Sequence, residues 1–146
     1  MPRAQCSRCH RPIDYCYCKH LQETTARIDL IILQHPSESR HALNTARIAA
    51  LSIRNCQILI GEKFSDHPVL QERLATQSCC LLFPTEQATR ANTLLSSATP
   101  PECCIVIDGT WRKARKIFYC NPALHTLPAM TLEPVQLSEY RIRKSS

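Results

Sequence analysis

The stretch Cys103-Cys104-Ile105-Val106-Ile107-Asp108-Gly109-Thr110-Trp111 decides the fold, because it joins the most apolar run of the chain to a turn and a helix start. A continuous apolar run is typical of a strand buried on both faces, as found in parallel sheets covered by helices. Thr110 is a good N-cap residue, so we predict a helix from Trp111 to about Tyr119.

The same alternation of apolar strand and helix-length segment occurs in the residues before this stretch. Strands are predicted at 28–33, 57–60 and 79–83, and helices at 41–53, weakly at 68–75, and at 85–97. Strands separated by helices in this way favour one α/β domain with a mostly parallel sheet. The length of 146 residues, 44% of them hydrophobic and 21% charged, fits a single core.

Composition excludes several classes of protein. Two glycines, Gly61 and Gly109, are too few for a P-loop or a glycine-rich dinucleotide site. No apolar run approaches bilayer length, and residues 1–5 leave no room for a signal segment before Cys6. We therefore expect a soluble, cytoplasmic protein with no membrane partner, in which the ten cysteines are thiols and not disulfides.

Four cysteines fall in one short polar segment, residues 1–20, as Cys6-x-x-Cys9 and Cys16-x-Cys18. Four thiolates are the number that a closed tetrahedral zinc site requires. His10 and His20 flank the cluster and one of them could replace a thiolate, and four cysteines can also hold an iron–sulfur cluster. We interpret the segment as a structural zinc site that gives residues 1–20 their fold.

Asp108 lies where the most apolar strand ends, which is the edge of an open α/β sheet at which ligands bind. His35 and Glu38 also follow a strand, so we expect them on the same rim. Each motif taken alone also has a structural interpretation, with Asp108 as a turn residue and Trp111 as part of the core. Convergence of titratable groups on one rim favours an active site.

Basic side chains account for the net charge of +6 and suit a polyanion such as RNA, although a solvated basic face would have the same composition. Those on the helix after Thr110 are Arg112, Lys113, Arg115 and Lys116, and two more, Arg141 and Arg143, lie near the carboxyl terminus.

In combination these residues resemble the DTW-domain family. The matching motifs, in order along nearly the whole chain, are Cys6/Cys9/Cys16/Cys18, His35-Pro36-Ser37-Glu38 with Asn44-Thr45, Leu81-Leu82-Phe83-Pro84, Asp108-Gly109-Thr110-Trp111 with Ala114, and Tyr140-Arg141-Ile142-Arg143. Members usually continue beyond the last of these motifs, whereas this chain stops at Ser146, so we expect part of a cofactor pocket to be missing.

The resemblance implies a tRNA-uridine aminocarboxypropyltransferase with a knotted SPOUT-like sheet, an exception to the rule that chains do not thread loops. It divides the chain into a zinc-binding segment, 1–20, and a DTW-type catalytic domain, 21–146. The cofactor S-adenosylmethionine would contact Leu82, Phe83, Pro84, Asp108, Gly109, Thr110 and Trp111.

In the implied reaction, uridine N3 attacks the γ-carbon of the methionyl chain, and methylthioadenosine leaves. Asp108 is the first candidate for the base that removes the N3 proton and Glu38 the second, although Asp108 could instead bind the cofactor's amino group. His35, Arg112, Lys113, Arg115, Lys116, Arg141 and Arg143 would contact tRNA. A SPOUT-like RNA methyltransferase and a non-catalytic zinc module that binds RNA are the alternatives.

Overall fold

The structure is a computed structural model and describes residues 4–40 and 44–132. Its strands are β1 (Asp29–Gln34), β2 (Cys56–Ile60), β3 (Cys79–Leu82), β4 (Thr89–Arg90), β5 (Cys103–Asp108) and β6 (Ala129–Thr131). Its α-helices are α1 (Pro36–Ser39), α2 (Thr45–Ser52), α3 (Pro68–Thr76), α4 (Ala91–Leu95) and α5 (Trp111–Cys120). Short 3₁₀ helices occur at Ile13–Tyr15, Cys18–His20 and Pro122–Thr126.

The six strands form one sheet in the order β2-β1-β5-β3-β6-β4, and every pair is parallel. β5 lies between β1 and β3, and its apolar residues from Cys103 to Ile105 are buried, as the continuous apolar run predicts. The α/β class with a parallel sheet is confirmed. Because all strands point the same way, their carboxyl ends meet at one edge.

Helices cover the sheet on both faces. Alternate residues of a strand point to opposite faces, so Ile31 and Leu33 pack in one core with Leu70 of α3 and Ile117 of α5. Ile32 packs in a separate core on the other side, with residues of α2. Two-sided cover explains why the central strands alternate so little between apolar and polar residues.

Asp29 attaches the start of β1 to the helix layer. Its carboxylate accepts hydrogen bonds from the side chains of Gln77, Asn55 and Arg73, of which Arg73 lies in α3 and also forms an ion pair with it. These donors, with Gln77 first, lower the pKa of Asp29 below its usual value because they stabilise the charged form.

The structure corrects one predicted helix and shifts several element boundaries, most of them by one residue. Residues 85–97 do not form one helix, since β4 occupies Thr89–Arg90 and α4 is limited to Ala91–Leu95. α2 begins at Thr45 because the Asn44 side chain caps it by accepting from the Arg47 N–H, and residues 41–43 of the predicted helix lie outside the described residues. β3 ends at Leu82, one residue before the predicted end.

None of the helices in the two described ranges combines the length and apolar character that a bilayer-spanning segment needs.

Candidate active site and metal centre

Asp108 and Gln34 are the last residues of the neighbouring strands β5 and β1 and are register partners across the sheet. The Gln34 side-chain amide donates to Asp108 Oδ2 at 2.9 Å, and the His35 backbone N–H donates to the Asp108 carbonyl at 2.9 Å. Asp108 itself is only half-buried. The carboxylate is therefore fixed on one side and accessible on the other.

Gln34 belongs to a buried polar network. It is fully buried, and the same side-chain nitrogen also donates to Asn44 Oδ1 at 2.8 Å. Asn44 is 7% exposed and caps α2 through that oxygen. A buried amide that is hydrogen-bonded on both sides holds its partners rigidly, since breaking either bond would leave polar atoms unsatisfied.

Gly109 allows the turns after β1 and β5 to approach closely. A Cβ atom at this position would lie 3.4 Å from the Cβ atoms of both His35 and Lys113, which is tighter than most such contacts. Thr110 then caps α5 by accepting from the Lys113 N–H at 3.4 Å, as the sequence predicts. Glycine thus suits the close packing beside Asp108.

His35, Glu62 and Lys116 form a charged cluster beside this edge. Lys116 Nζ lies 2.7 Å from Glu62 Oε2, and His35 Nε2 lies 3.6 Å from the same oxygen. The Lys116 ammonium lowers the pKa of Glu62, and Glu62 in turn raises the pKa of Lys116. Lys116 is exposed, as Arg112 and Arg115 are, but it forms an ion pair with Glu62.

His35 has a structural role as well. Its Nδ1 accepts from the Ser37 N–H at 3.2 Å, so that it caps the single-turn helix α1. Glu38, the second candidate base, lies in α1 and is half-buried. Its backbone N–H donates to the His35 carbonyl at 2.9 Å.

Aromatic rings connect the ends of β3 and β5. Phe83 stacks on Trp111 with ring centroids 5.6 Å apart and planes at 14°, and on Phe118 at 4.7 Å. Phe83 is buried, whereas 46% of Trp111 is exposed. A cavity of about 250 Å³ opens next to them and is lined by Leu82, Phe83, Pro84, Met130, Thr131 and Leu132.

Of the remaining predicted RNA contacts, Arg112 and Arg115 are exposed on α5 and Lys113 is half-buried. Arg141 and Arg143 lie outside the described residues.

The four amino-terminal cysteines converge. Their Sγ atoms all lie within 4.8 Å of one another, with Cys6 and Cys18 3.7 Å apart and Cys9 and Cys16 3.8 Å apart. A tetrahedral ion with metal–sulfur bonds of about 2.3 Å separates its sulfur ligands by about 3.8 Å. All four thiols are free, and their spacing far exceeds a disulfide bond of about 2.0 Å. The donor set and its spacing therefore fit one metal ion.

Local structure favours thiolate at one of these positions and disfavours it at another. Backbone N–H groups, that of Cys9 first, lower the pKa of Cys6 to about 6. Desolvation raises the pKa of Cys18 to about 12. A cation would stabilise all four thiolates together, because metal ligation deprotonates a thiol.

Comparison with known families gives a match to the DTW domain that covers residues 3–146. The chain belongs to the DTW-domain family. Its relatives include two proteins named tRNA-uridine aminocarboxypropyltransferase 2. The one from Drosophila melanogaster is 33% identical over 97% of this chain and 59% of its own length. The one from Mus musculus is 34% identical over 97% of this chain and 50% of its own length. A protein from Arabidopsis thaliana named tRNA-uridine aminocarboxypropyltransferase A is 28% identical over 79% of this chain and 50% of its own length.

This DTW domain thus spans between 50% and 59% of the length of the relatives it matches. No solved structure matches it.

Sequence reasoning overlooked two side chains of this DTW domain that contact the predicted residues, Gln34 and Glu62. A signal for Gln34 was present, since it is a polar residue at the last position of an apolar strand. Glu62 comes two residues after the end of β2, as His35 comes directly after β1, so a search for polar residues after every strand would have found it. The buried Asn121 holds the Glu62 segment by donating to the Glu62 carbonyl at 2.8 Å and accepting from the Phe64 N–H at 2.7 Å.

Proposed function

We propose that this chain transfers the 3-amino-3-carboxypropyl group of S-adenosylmethionine to N3 of a uridine in tRNA, releasing methylthioadenosine. The observation that carries the proposal is the Asp108 carboxylate, held by buried Gln34 at the carboxyl edge of the sheet in a chain of the DTW family. The names of the relatives supply the reaction class.

The reaction needs a base, because uridine N3 carries a proton. In the transfer, a bond forms between N3 and the γ-carbon, the bond from that carbon to sulfur breaks, and the N3 proton moves to the base. Asp108 suits this role, since one oxygen is held by Gln34 and the carboxylate is half-exposed. Glu38 is the second candidate. A carboxylate at this position also suits binding of the cofactor's amino group.

For S-adenosylmethionine we propose the edge where β3 and β5 end. Leu82, Phe83 and Pro84 line the cavity of about 250 Å³, and the stack of Phe83 on Trp111 joins it to Asp108, Gly109 and Thr110. Stacked rings and an apolar lining suit the adenine of the cofactor. Selectivity for the γ-carbon over the methyl group would come from orientation alone.

For tRNA we propose the exposed side of α5, with Arg112, Arg115 and the neighbouring Lys113, together with His35, Arg141 and Arg143. The pairing of Lys116 with Glu62 makes Lys116 the weakest of the proposed phosphate contacts, because a phosphate would have to compete with a carboxylate at 2.7 Å.

For the four cysteines we propose zinc, with residues 1–20 as a metal-binding segment and residues 21–146 as the catalytic domain. When bound, the ion would supply folding free energy and no chemistry of transfer. Sulfur spacings of 3.7 and 3.8 Å suit a single ion better than an iron–sulfur cluster, whose irons and sulfides need more room between the thiolates. With ten free thiols, a reducing compartment such as the cytoplasm suits the chain.

We also infer that the fold is of the knotted SPOUT-like type. In support, β5 is placed between β1 and β3, which both precede it along the chain, in an all-parallel sheet. The path beyond Leu132 lies outside the described residues.

The test is to incubate the metal-loaded protein with unmodified tRNA and S-adenosylmethionine, and to analyse nucleosides and by-products by mass spectrometry. Aminocarboxypropyluridine together with methylthioadenosine is the expected result. Methylated nucleoside with S-adenosylhomocysteine would establish a methyltransferase instead, and tRNA binding without any product would establish a non-catalytic RNA-binding module.

A further inference from the structure

A second concave surface lies between the cysteine segment and the start of α2. This basic cavity has a volume of about 420 Å³, within the range of small-ligand sites. It is lined by Gln5, Cys9, His10, Arg11, Pro12, Tyr15, Ser39, Arg40, Asn44 and Arg47. Of these residues, Cys9 is a proposed metal ligand and Asn44 belongs to the Gln34 network, whereas none of the three arginines has a role in the sites proposed above.

The lining is strongly positive. It contains the three arginines Arg11, Arg40 and Arg47, and no aspartate or glutamate among the described residues. Within the described ranges no carboxylate forms an ion pair with any of the three, whereas Arg54 and Arg73 are both paired. Three arginines that line one concavity and have no carboxylate partner among the described residues favour an anionic ligand.

Arg11 also carries a donor without an acceptor. Its Nε is buried and has no hydrogen-bond partner among the described residues, while its guanidinium lies over the Tyr17 ring at 5.8 Å from the centroid. A buried donor left unsatisfied is destabilising, so such groups are uncommon unless a ligand or water satisfies them. Stacking on Tyr17 keeps the planar group in one orientation.

The backbone fixes Arg11 in this position. The Cys6 N–H donates to the Arg11 carbonyl at 2.8 Å, and the His10 N–H donates to the Cys6 carbonyl at 2.9 Å. His10 completes the turn in the left-handed region, with φ of 61°. On the other wall, Arg47 belongs to α2, whose capped amino end adds a partial positive charge.

Hydrogen bonds link the lining of the cavity to Asp108, the candidate base. Asn44 lines it and also accepts from the Gln34 side chain, which donates to Asp108. Two buried amides thus separate the basic cavity from the carboxylate. A ligand held here would be anchored next to the reaction site without occupying it.

We propose that this basic cavity binds a backbone phosphodiester of the RNA substrate and thereby anchors the strand that carries the target uridine. The inference rests on the proposed function, since it takes RNA as the substrate. Arginine forks match phosphate oxygens in pairs, and the positive charge of the arginines provides affinity without reading sequence. The contact is distinct from the α5 rim and adds to it.

The test compares Arg47→Gln and Arg11→Gln with the control Arg54→Gln. Arg54 loses the same charge, but its side chain is 67% exposed and paired only with exposed Glu23. Binding of unmodified tRNA is measured over a range of salt concentrations, and the KM for tRNA, the Kd for S-adenosylmethionine and the bound metal are measured in parallel. Unchanged metal content shows that the cysteine segment is intact, and Arg47→Gln tests the cavity from α2, outside that segment.

We expect each cavity variant to raise the tRNA Kd about tenfold. The slope of the logarithm of tRNA affinity against the logarithm of salt concentration should decrease in magnitude by about 0.7 to 0.9, which corresponds to the loss of one phosphate contact. The KM for tRNA should rise while the Kd for S-adenosylmethionine stays the same, and Arg54→Gln should behave as wild type. Heparin affinity should fall by less than tRNA affinity, because heparin offers sulfates and carboxylates on a different backbone.

Unchanged tRNA affinity and salt slope in both cavity variants would overturn the proposal and leave the transfer reaction standing. Equal losses in all three variants, or equal losses for heparin and tRNA, would also overturn it, because the cavity would then be a general anion surface. If wild-type protein binds tRNA with the expected salt dependence but makes no product, the proposed reaction is wrong. The tRNA affinities of the cavity variants and the Arg54→Gln control then still test whether the cavity binds RNA.

Discussion

Replacing Asp108 by asparagine should abolish transfer and leave the fold nearly unchanged. Asparagine has the same size and can present its carbonyl oxygen to the Gln34 amide, which donates to Asp108 Oδ2 at 2.9 Å in the native protein. The change weakens a charge-assisted hydrogen bond to a neutral one, at about 1 kcal/mol of stability. For a chain of this length that lowers the Tm by roughly 3 °C.

The expected effect on catalysis is much larger. Removing a general base lowers the rate of transfer about 10² to 10⁴-fold. The assay is single-turnover formation of aminocarboxypropyluridine on tRNA, followed by mass spectrometry, together with a thermal unfolding curve for each protein. Asp66→Asn is the matched control, because Asp66 is exposed in the loop before α3 and undergoes the same chemical change.

The cofactor Kd separates the two roles of Asp108. A base leaves the affinity for S-adenosylmethionine unchanged, whereas an anchor for the amino group raises the Kd along with the loss of rate. Turnover by Asp108→Asn within a few-fold of wild type would refute both roles and return Asp108 to the status of a turn residue.

Four further outcomes are expected. Gln34→Leu removes one buried and one partly buried hydrogen bond, so it should lower the free energy of unfolding by about 2–4 kcal/mol and also lower kcat. An unchanged unfolding midpoint would show that the network is not structural. Chelation, or Cys9→Ala, should release one zinc per chain and lower the Tm, whereas iron with sulfide in the metal analysis would contradict the assignment. Hydrogen-bond donors lower the pKa of Asp29, so its carboxylate stabilises the fold above the ordinary pKa of about 3.9, and this stabilisation is lost as pH falls through the lowered pKa of the folded state. Asp29→Asn should therefore be less stable than wild type at pH 7 and lose less stability on acidification. Urea unfolding at several pH values tests this. Replacing Arg112 and Arg115 together by glutamine should weaken tRNA binding and its salt dependence without changing cofactor affinity, and unaltered binding would mean that α5 does not face the RNA.

The sequence predicts the central sheet well because strands that are buried on both faces have continuous apolar runs. β5 has a continuous apolar run, and α5 has an N-cap followed by a long periodic helix, so their positions follow from local chemistry. The weaker elements are defined by tertiary contacts. β4 has two residues and β6 three, which is too short for any periodicity, and their ladders exist because β6 adds to β3.

The site is partly predictable for the same reason. Strand ends indicate Asp108 and His35, and cysteine spacing indicates the candidate metal ligands, whose sulfurs converge in the structure. Side-chain networks carry no such spacing signal. Gln34 contacts Asp108 only because β1 and β5 are register partners, and the Lys116–Glu62 pair depends on how α5 packs beside the end of β2.

The pairing of β1 with β5 has a consequence for synthesis of the chain. Gln34 and Asp108 are 74 residues apart, so at 5–20 residues per second a ribosome takes roughly 4 to 15 s to produce the partner of β1 after β1 itself has been made. During that interval β1 has an unpaired edge and an apolar surface that is fully buried at Ile31 and Leu33 in the finished protein. Such an edge can pair with other chains, so we expect the nascent amino-terminal half to need chaperones and to be the species that aggregates on overexpression.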